Sequence, residues 1–232
     1  LRVFSRKPTL MPYKYPLATS SWDNKEIEAI QEVVAAGRFT MGEKVTQFER
    51  EFANHFGSKY AVMVNSGSSA NLLMVASLRY ISNPSLKLNK GDTIIVPAVS
   101  WSTSYFPIYQ YGLKLKFVDI DLETLNYDLT SLAKAIDQNT RAILIVNLLG
   151  NPNDFSEIER LISGKDIIIL EDNCESMGAK FNDTFTGTFG LMGSFSCFYS
   201  HHISTMEGGM ILTENEELYQ IMRSLRSHGW TR

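Results

Sequence analysis

Cysteine is nearly missing from this chain of 232 residues: only Cys174 and Cys197 occur, and neither stands in a CxxC or Cys/His ligand spacing. That excludes the disulfide framework of a small secreted domain and gives no zinc-ligand pattern. We read both thiols as reduced, which places the protein in the cytoplasm. An excess of one charge is also missing, with 22 Lys plus Arg against 25 Asp plus Glu and no long basic run. The balance points away from nucleic acid and from an anionic membrane surface as partners. Leu1 to Tyr15 carries Arg2, Arg6, Lys7 and Lys14 with two prolines and lacks the apolar stretch of a secretory signal. We set residues 1–15 apart as an N-terminal extension and read 16–232 as one large domain.

Uninterrupted apolar runs are scarce as well. Two charge-free segments, Thr93–Leu113 and Thr184–Met206, reach roughly the twenty residues of a spanning helix. Pro97, Pro107 and a Ser-Trp-Ser-Thr-Ser cluster break the first, while glycines, hydroxyls and two histidines break the second. Neither reads as a membrane helix, and both suit pocket walls better. Neither GxxxxGK[ST] nor GxGxxG occurs, so a nucleoside triphosphatase or dinucleotide site has little support.

What the chain does contain is an alternation of two periodicities. Short apolar runs at Tyr60–Asn65, Thr93–Pro97, Leu115–Asp119, Ala142–Asn147, Ile167–Glu171, Ser194–Tyr199 and Gly209–Thr213 have the length of strands buried on both faces. Among them lie helical patterns: Ile27, Ile30 and Val34 before Gly37, Val45, Phe48, Phe52 and Phe56 before Gly57, and Leu218, Ile221, Met222 and Leu225. The alternation predicts an α/β fold with a mostly parallel, seven-stranded sheet and helices on both faces. Ligands of such sheets sit beyond the carboxyl ends of the strands.

Four strand ends carry chemistry. Ser66-Gly67-Ser68-Ser69-Ala70-Asn71 opens a helix with small residues, which alone reads first as an ordinary serine cap and also suits a phosphate on the first free amides. Glu171-Asp172-Asn173-Cys174-Glu175 ends a strand expected to be central. A carboxylate there needs a cation or hydrogen bonds, and a protonated ring nitrogen or a helix cap would each serve. Trp101 follows the strand at Thr93–Val96 and can stack on a flat ligand or simply pack. Ser196 and the pair His201-His202 follow the strand at Ser194. On an extended segment adjacent histidines face opposite ways, so one of them reaches a site and the other is structural. On this pattern alone, either reads as a hydrogen-bonded buried histidine before it reads as a proton carrier.

Taken with Phe39-Thr40-Met41-Gly42, Phe48-Glu49, Glu207-Gly208-Gly209 and Arg226-Ser227-His228-Gly229, these pieces resemble the DegT/DnrJ/EryC1/StrS sugar aminotransferase family. The resemblance spans nearly the whole chain. It implies the large domain of the aspartate aminotransferase-like fold (fold type I), with pyridoxal 5'-phosphate or pyridoxamine 5'-phosphate as cofactor. Gly67, Ser68, Ser69 and Ser196 would then hold the phosphate, Trp101 would stack on the ring, and Asp172 would pair with the pyridine nitrogen. Glu175 stands where family aminotransferases commonly carry glutamine.

One departure changes the implied reaction. His201 occupies the place of the family's cofactor-linking lysine, and no lysine occurs from Phe181 to Arg232. Imidazole cannot make that covalent link but moves protons near neutral pH. This resembles the histidine-bearing 3-dehydratase branch, which implies a lyase acting with glutamate on a nucleotide-linked 4-keto-6-deoxyhexose. The sugar implied is GDP-4-keto-6-deoxy-D-mannose, toward a 3,6-dideoxysugar such as colitose. The alternatives are a CDP-linked 3-dehydratase with an iron-sulfur cluster, which needs more thiolates than two cysteines supply, and a cofactor-binding protein without turnover. The resemblance also implies a homodimer and a smaller carboxyl-terminal domain beyond residue 232.

Overall fold

A computed structural model describes residues 18–230 of the chain, so the extension at 1–15 lies outside the described residues. The chain divides into two compact units at Phe39/Thr40. In the first, helix α1 (Asn24–Ala36) starts at a capping box: the Asp23 carboxylate accepts the Lys25 amide at 2.7 Å, and the Asp23 amide donates to Glu26 at 2.7 Å. Gly37 closes it in the left-handed conformation. Ile27, Ile30 and Val34 form the expected stripe, yet no residue of α1 is buried.

The second unit holds the sheet. Its strands are β1 (Tyr60–Val64), β2 (Thr93–Pro97), β3 (Lys114–Val118), β4 (Thr140–Val146), β5 (Ile168–Asp172), the short pair β6 (Lys180–Phe181) and β7 (Thr184–Phe185), β8 (Met192–Ser196) and β9 (Gly209–Thr213). Its helices are α2 (Glu43–Phe56), α3 (Gly67–Ser77), α4 (Phe106–Gln110), α5 (Leu129–Ala135), α6 (Phe155–Ile162) and α7 (Glu216–Arg226). All seven expected runs join one sheet in the order β1-β9-β8-β5-β4-β2-β3, in which β9 alone runs antiparallel to its neighbours. The hairpin β6–β7 stands apart from it, and Asn182 and Asp183 turn it with positive φ. No helix of the described residues is long and apolar enough to cross a membrane.

The period of two sorts side chains to the two faces. Ile94, Val96, Ala142, Leu144, Ile168 and Leu170 pack on one side in a cluster with Leu73 and Met74 of α3 and Leu218 and Met222 of α7. Ile95, Ile143 and Ile145 meet Leu132, Phe155 and Ile158 of α5 and α6 on the other. Phe195, Met210 and Leu212 meet Phe52 and Phe56 of α2. The expectation of burial on both faces fails at β3, one of the sheet's two edge strands, where Lys114 and Phe117 are exposed. Two sequence motifs far apart in the chain, Phe48-Glu49 and Arg226-Ser227-His228-Gly229, are joined physically. Arg226 donates to the Glu49 carboxylate at 2.5 Å and to the Met63 carbonyl at 2.7 Å, while Glu49 accepts the Met63 amide at 2.9 Å. This shielded pair ties α2, β1 and α7 together.

The same alternation splits the two acids at the end of β5. Asp172 shares a face with Leu170, on the α3 side, and Glu171 points to the opposite face. Glu171 is 0% exposed and accepts three backbone amides, from Gly187 at 2.6 Å, Phe189 at 2.8 Å and Gly190 at 2.7 Å. Burial nevertheless outweighs these bonds and pushes its carboxyl up to about 7. A folded pKa above the unfolded one means that this group's contribution to stability is fully present below the unfolded carboxyl value and falls as pH rises toward 7. Glu171→Gln should therefore remove a downward slope of unfolding free energy between about pH 5 and 7. Glu171→Ala, which orphans three amides, should cost about 3 kcal/mol. Urea unfolding at the two pH values reads both, and a wild-type midpoint for Glu171→Ala would show that the 187–190 loop finds other partners.

Candidate active site

The carboxyl ends of β1, β2, β4, β5 and β8 lie along one edge of the sheet, because these strands share a direction. The sequence-predicted residues follow those ends. Gly67, Ser68 and Ser69 come after β1, Trp101 after β2, Asp172 and Glu175 at and after β5, and Ser196 and His201 at and after β8.

Ser66 caps α3: its hydroxyl accepts the Ser69 amide at 3.0 Å and donates to the Ser69 hydroxyl at 3.1 Å. Capping Ser69 leaves the amides of Gly67 and Ser68 as the outward donors of the first turn, at the positive end of the helix. The helix starts where only glycine fits, since a Cβ on Gly67 would lie 2.6 Å from the Cys174 sulfur and 2.7 Å from the Ser196 Cβ. That close approach brings Ser196, buried at the end of β8, against the first turn of α3. Serine cap and anion-binding turn thus coexist, because the cap satisfies only one of the first amides.

Asp172 is 5% exposed, and among the described residues no Lys, Arg or His nitrogen pairs with it. Hydrogen bonds take that place. Its Oδ2 accepts Asn71 Nδ2 at 2.7 Å and the Ser104 hydroxyl at 2.8 Å, and its Oδ1 accepts the Cys174 amide at 3.1 Å. Asn71 in turn accepts the Ser194 hydroxyl at 2.6 Å, and Ser100 lies 2.9 Å from Ser104. Sequence reasoning missed Asn71, Ser104 and Ser194. The available signal was an amide inside the apolar helical run Ala70–Ser77 and a serine inside the Ser-Trp-Ser-Thr-Ser cluster. Burial, with the Asp172 charge second, pushes the Cys174 thiol well up, and burial alone pushes Cys197 up to about 11, so neither is a ready thiolate.

The other residues stand differently from expectation or from one another. Trp101 precedes the turn Ser102–Ser104 that delivers Ser104 to Asp172, and its ring is 71% exposed. Glu175 accepts the Leu149 amide at 3.1 Å and so holds the loop after β4, where Leu149 has φ 52°. The two histidines are not on an extended segment. Pairing of β8 with β9 ends at Ser196, the Cys197 amide donates to Gly208, and the Thr205 amide returns to the Cys197 carbonyl, so the chain turns before reaching them. His201 is half-buried there, its amide donating to the Phe198 carbonyl at 2.9 Å and its ring edge-on to Phe198 at 5.9 Å. Its Nδ1 is buried without a hydrogen-bond partner, while His202 is exposed. A cleft of about 660 Å³ opens beside Ser69, Leu72 and Arg226 but includes neither Asp172 nor His201. The converging polar groups, not that cleft, define the site.

Comparison with known proteins gives the family. The model of the DegT/DnrJ/EryC1/StrS aminotransferase family matches residues 20–232. The chain is 64% identical over 218 residues to GDP-4-keto-6-deoxy-D-mannose 3-dehydratase of Escherichia coli O55:H7, covering 94% of this chain and 56% of that protein. It is 61% identical to the protein of the same name from Yersinia pseudotuberculosis, covering 94% and 55%. A crystal structure of GDP-4-keto-6-deoxymannose-3-dehydratase with a trapped PLP-glutamate geminal diamine superposes with a TM-score of 0.92 at 63% identity, covering 94% of this chain and 56% of that one. The chain therefore spans about half the length of the curated relatives it matches.

Gly67→Ala tests the packing at the helix start. The added methyl has to displace Cys174 or Ser196, so the unfolding free energy from urea titration should fall by about 1–3 kcal/mol, and a wild-type midpoint would show that the edge is looser than its distances indicate.

Proposed function

Because the chain belongs to the DegT/DnrJ/EryC1/StrS aminotransferase family, we propose that it binds pyridoxal or pyridoxamine 5'-phosphate and removes the C3 hydroxyl of a nucleotide-linked 4-keto-6-deoxyhexose. GDP-4-keto-6-deoxy-D-mannose is the sugar and glutamate the amino donor. The product leads to a 3,6-dideoxysugar such as colitose, destined for a lipopolysaccharide O-antigen. The protein works in the cytoplasm as a homodimer, on the reading of its reduced thiols and its family resemblance. The observation that carries the proposal is His201, a histidine with one buried ring nitrogen in the loop after β8, in a stretch from Phe181 to Arg232 that has no lysine.

The residues fit the cofactor by their donor set. Gly67 and Ser68 offer outward amides, and Ser68, Ser69 and Ser196 offer hydroxyls for a phosphate. Asp172, buried with three hydrogen bonds and no cation among the described residues, suits a protonated ring nitrogen. The exposed Trp101 ring offers a face for stacking, and Glu175 borders the same edge through the loop after β4. When bound, the aminated cofactor would supply the amine for the C4 ketone and an acidic methylene whose proton loss drives departure of the C3 hydroxyl.

This chain's own groups do the rest. Asp172 keeps the ring-nitrogen proton in place, and the serines and amides fix the phosphate so that the ring cannot slide. His201 works through Nε2, since Nδ1 is closed off beside Phe198. With the cofactor bound, Nε2 would take the proton lost from the cofactor methylene and deliver it to the C3 oxygen, which leaves as water. Lacking a lysine in this stretch, the loop offers no covalent competitor for the amine.

The direct test supplies the protein with cofactor, glutamate and, separately, GDP- and CDP-linked 4-keto-6-deoxysugars, and follows ammonia and product mass. Turnover of the GDP sugar with C3 hydroxyl replaced by hydrogen is expected; a stable aminosugar, or turnover of the CDP sugar alone, overturns the proposal. His201→Asn should lower kcat about 100-fold or more while cofactor affinity stays near wild type, and His202→Asn should keep most activity. The reverse ranking would reassign the proton carrier.

A further inference from the structure

The carboxylate of Asp172 is held by a chain of buried side chains whose hydrogen-bond directions can be worked out atom by atom. Asp172 Oδ2 accepts from both Asn71 Nδ2 and Ser104 Oγ. With the Ser104 proton directed at Asp172, the 2.9 Å contact between Ser100 and Ser104 requires Ser100 to donate. On the other side, Asn71 Oδ1 accepts the Ser194 hydroxyl at 2.6 Å. Ser194 is directly beside Asp172 in the pairing of β8 with β5, and Asn71 lies one helical turn after Gly67 on α3.

Asn71 is 3% exposed and Ser194 0%, so neither is there for solubility. An amide on this apolar helix face costs free energy unless both its ends are satisfied. Both ends are, and only one orientation does it: turning the amide over would set its oxygen against the carboxylate. The titratable groups that sense Asp172, Cys174 and Tyr105, both have raised pKa values, chiefly through burial, and contribute no positive charge at neutral pH. The carboxylate's orientation therefore comes from hydrogen bonds and not from an ion pair. Oδ2 is saturated by two side-chain donors, while Oδ1 carries a single backbone amide at 3.1 Å. Oδ1 is the oxygen with capacity left.

We propose that Asn71, oriented by Ser194, is a positioning residue that occupies Asp172 Oδ2 and so presents Oδ1 to the protonated nitrogen of the bound pyridine ring. The inference rests on the reading of Asp172 as the ring-nitrogen partner, and it goes beyond that reading by assigning which oxygen is used and what holds it. Asn71 does not touch the reacting carbons. Its effect runs through the proton affinity of the ring nitrogen, which rises when a full, fixed negative charge stands beside it.

The test loads the protein with pyridoxal phosphate labelled with 15N in the ring and reads the nitrogen's NMR shift, which reports protonation directly. Wild type should show the pyridinium signal, and Asp172→Asn should lose it. Asn71→Leu, close in volume but without donors, should lower the ring nitrogen's proton affinity about tenfold or more, as expected for removing a hydrogen bond to a charge. Ser194→Ala should give a smaller shift in the same direction, and Ser194→Thr, which keeps the hydroxyl, should restore it. If Asn71→Leu does not fold, the Ser194 pair decides alone: a pyridinium signal in Ser194→Ala equal to that of wild type overturns the proposal. A wild-type signal in Asn71→Leu, with the signal lost in Asp172→Asn, overturns the role of Asn71 and leaves the ring-nitrogen reading intact. An unchanged signal in Asp172→Asn overturns both.

Discussion

A buried carboxylate with no cationic partner among the described residues organises this molecule. Leaving Asp172 unpaired in the interior would be costly, so the chain spends polar groups from three other segments on it. Asn71 comes from α3, Ser104 from the turn after β2, and the Cys174 amide from the residues that follow β5. Each donor also ties its own loop to the sheet edge. The acid is thus the point at which the loops after β1, β2 and β5 are registered against one another, and β8 joins through Ser194.

The neighbouring acid shows the same logic on the other face. Glu171 lies one residue away and points to the opposite side of β5, where three amides of the 187–190 loop converge on it. One of these carboxylates gathers the edge where polar groups converge, and the other anchors a loop that packs against the core. The alternation of side chains along a strand is enough to give adjacent acids unrelated tasks. Their hydrogen-bond environments then separate them, because two of the three donors to Asp172 are side chains that can be replaced one at a time, whereas Glu171 is met by three backbone amides.

Close approach matters as much as charge at this edge. Gly67 lets α3 begin against Cys174 and Ser196, and Gly209 sits so near the Ser66 carbonyl that a side chain there would collide with it. The shielded Arg226–Glu49 pair, sharing Met63, holds α2 and α7 against β1 just before this edge begins. In the proposed reaction these contacts place hydroxyls and amides from two strand ends around one phosphate, and leave the loop after β8 free to carry a histidine.

The sequence by itself determined the seven strands, the α/β class, the caps at Gly37 and Gly57, and the central position of Asp172, because these depend on local periodicity and on glycine's conformational freedom. The family resemblance also follows from the order of short motifs. Only the tertiary structure decided the rest. That β3 is an edge strand depends on sheet order, which no local pattern encodes. That the chain turns before His201 depends on where β8 stops pairing with β9. That Asn71, Ser104 and Ser194 belong to the site depends on contacts across 68, 101 and 123 residues of sequence. A hydrogen bond is specified by the positions of two partners, and a linear sequence names the partners without bringing them together.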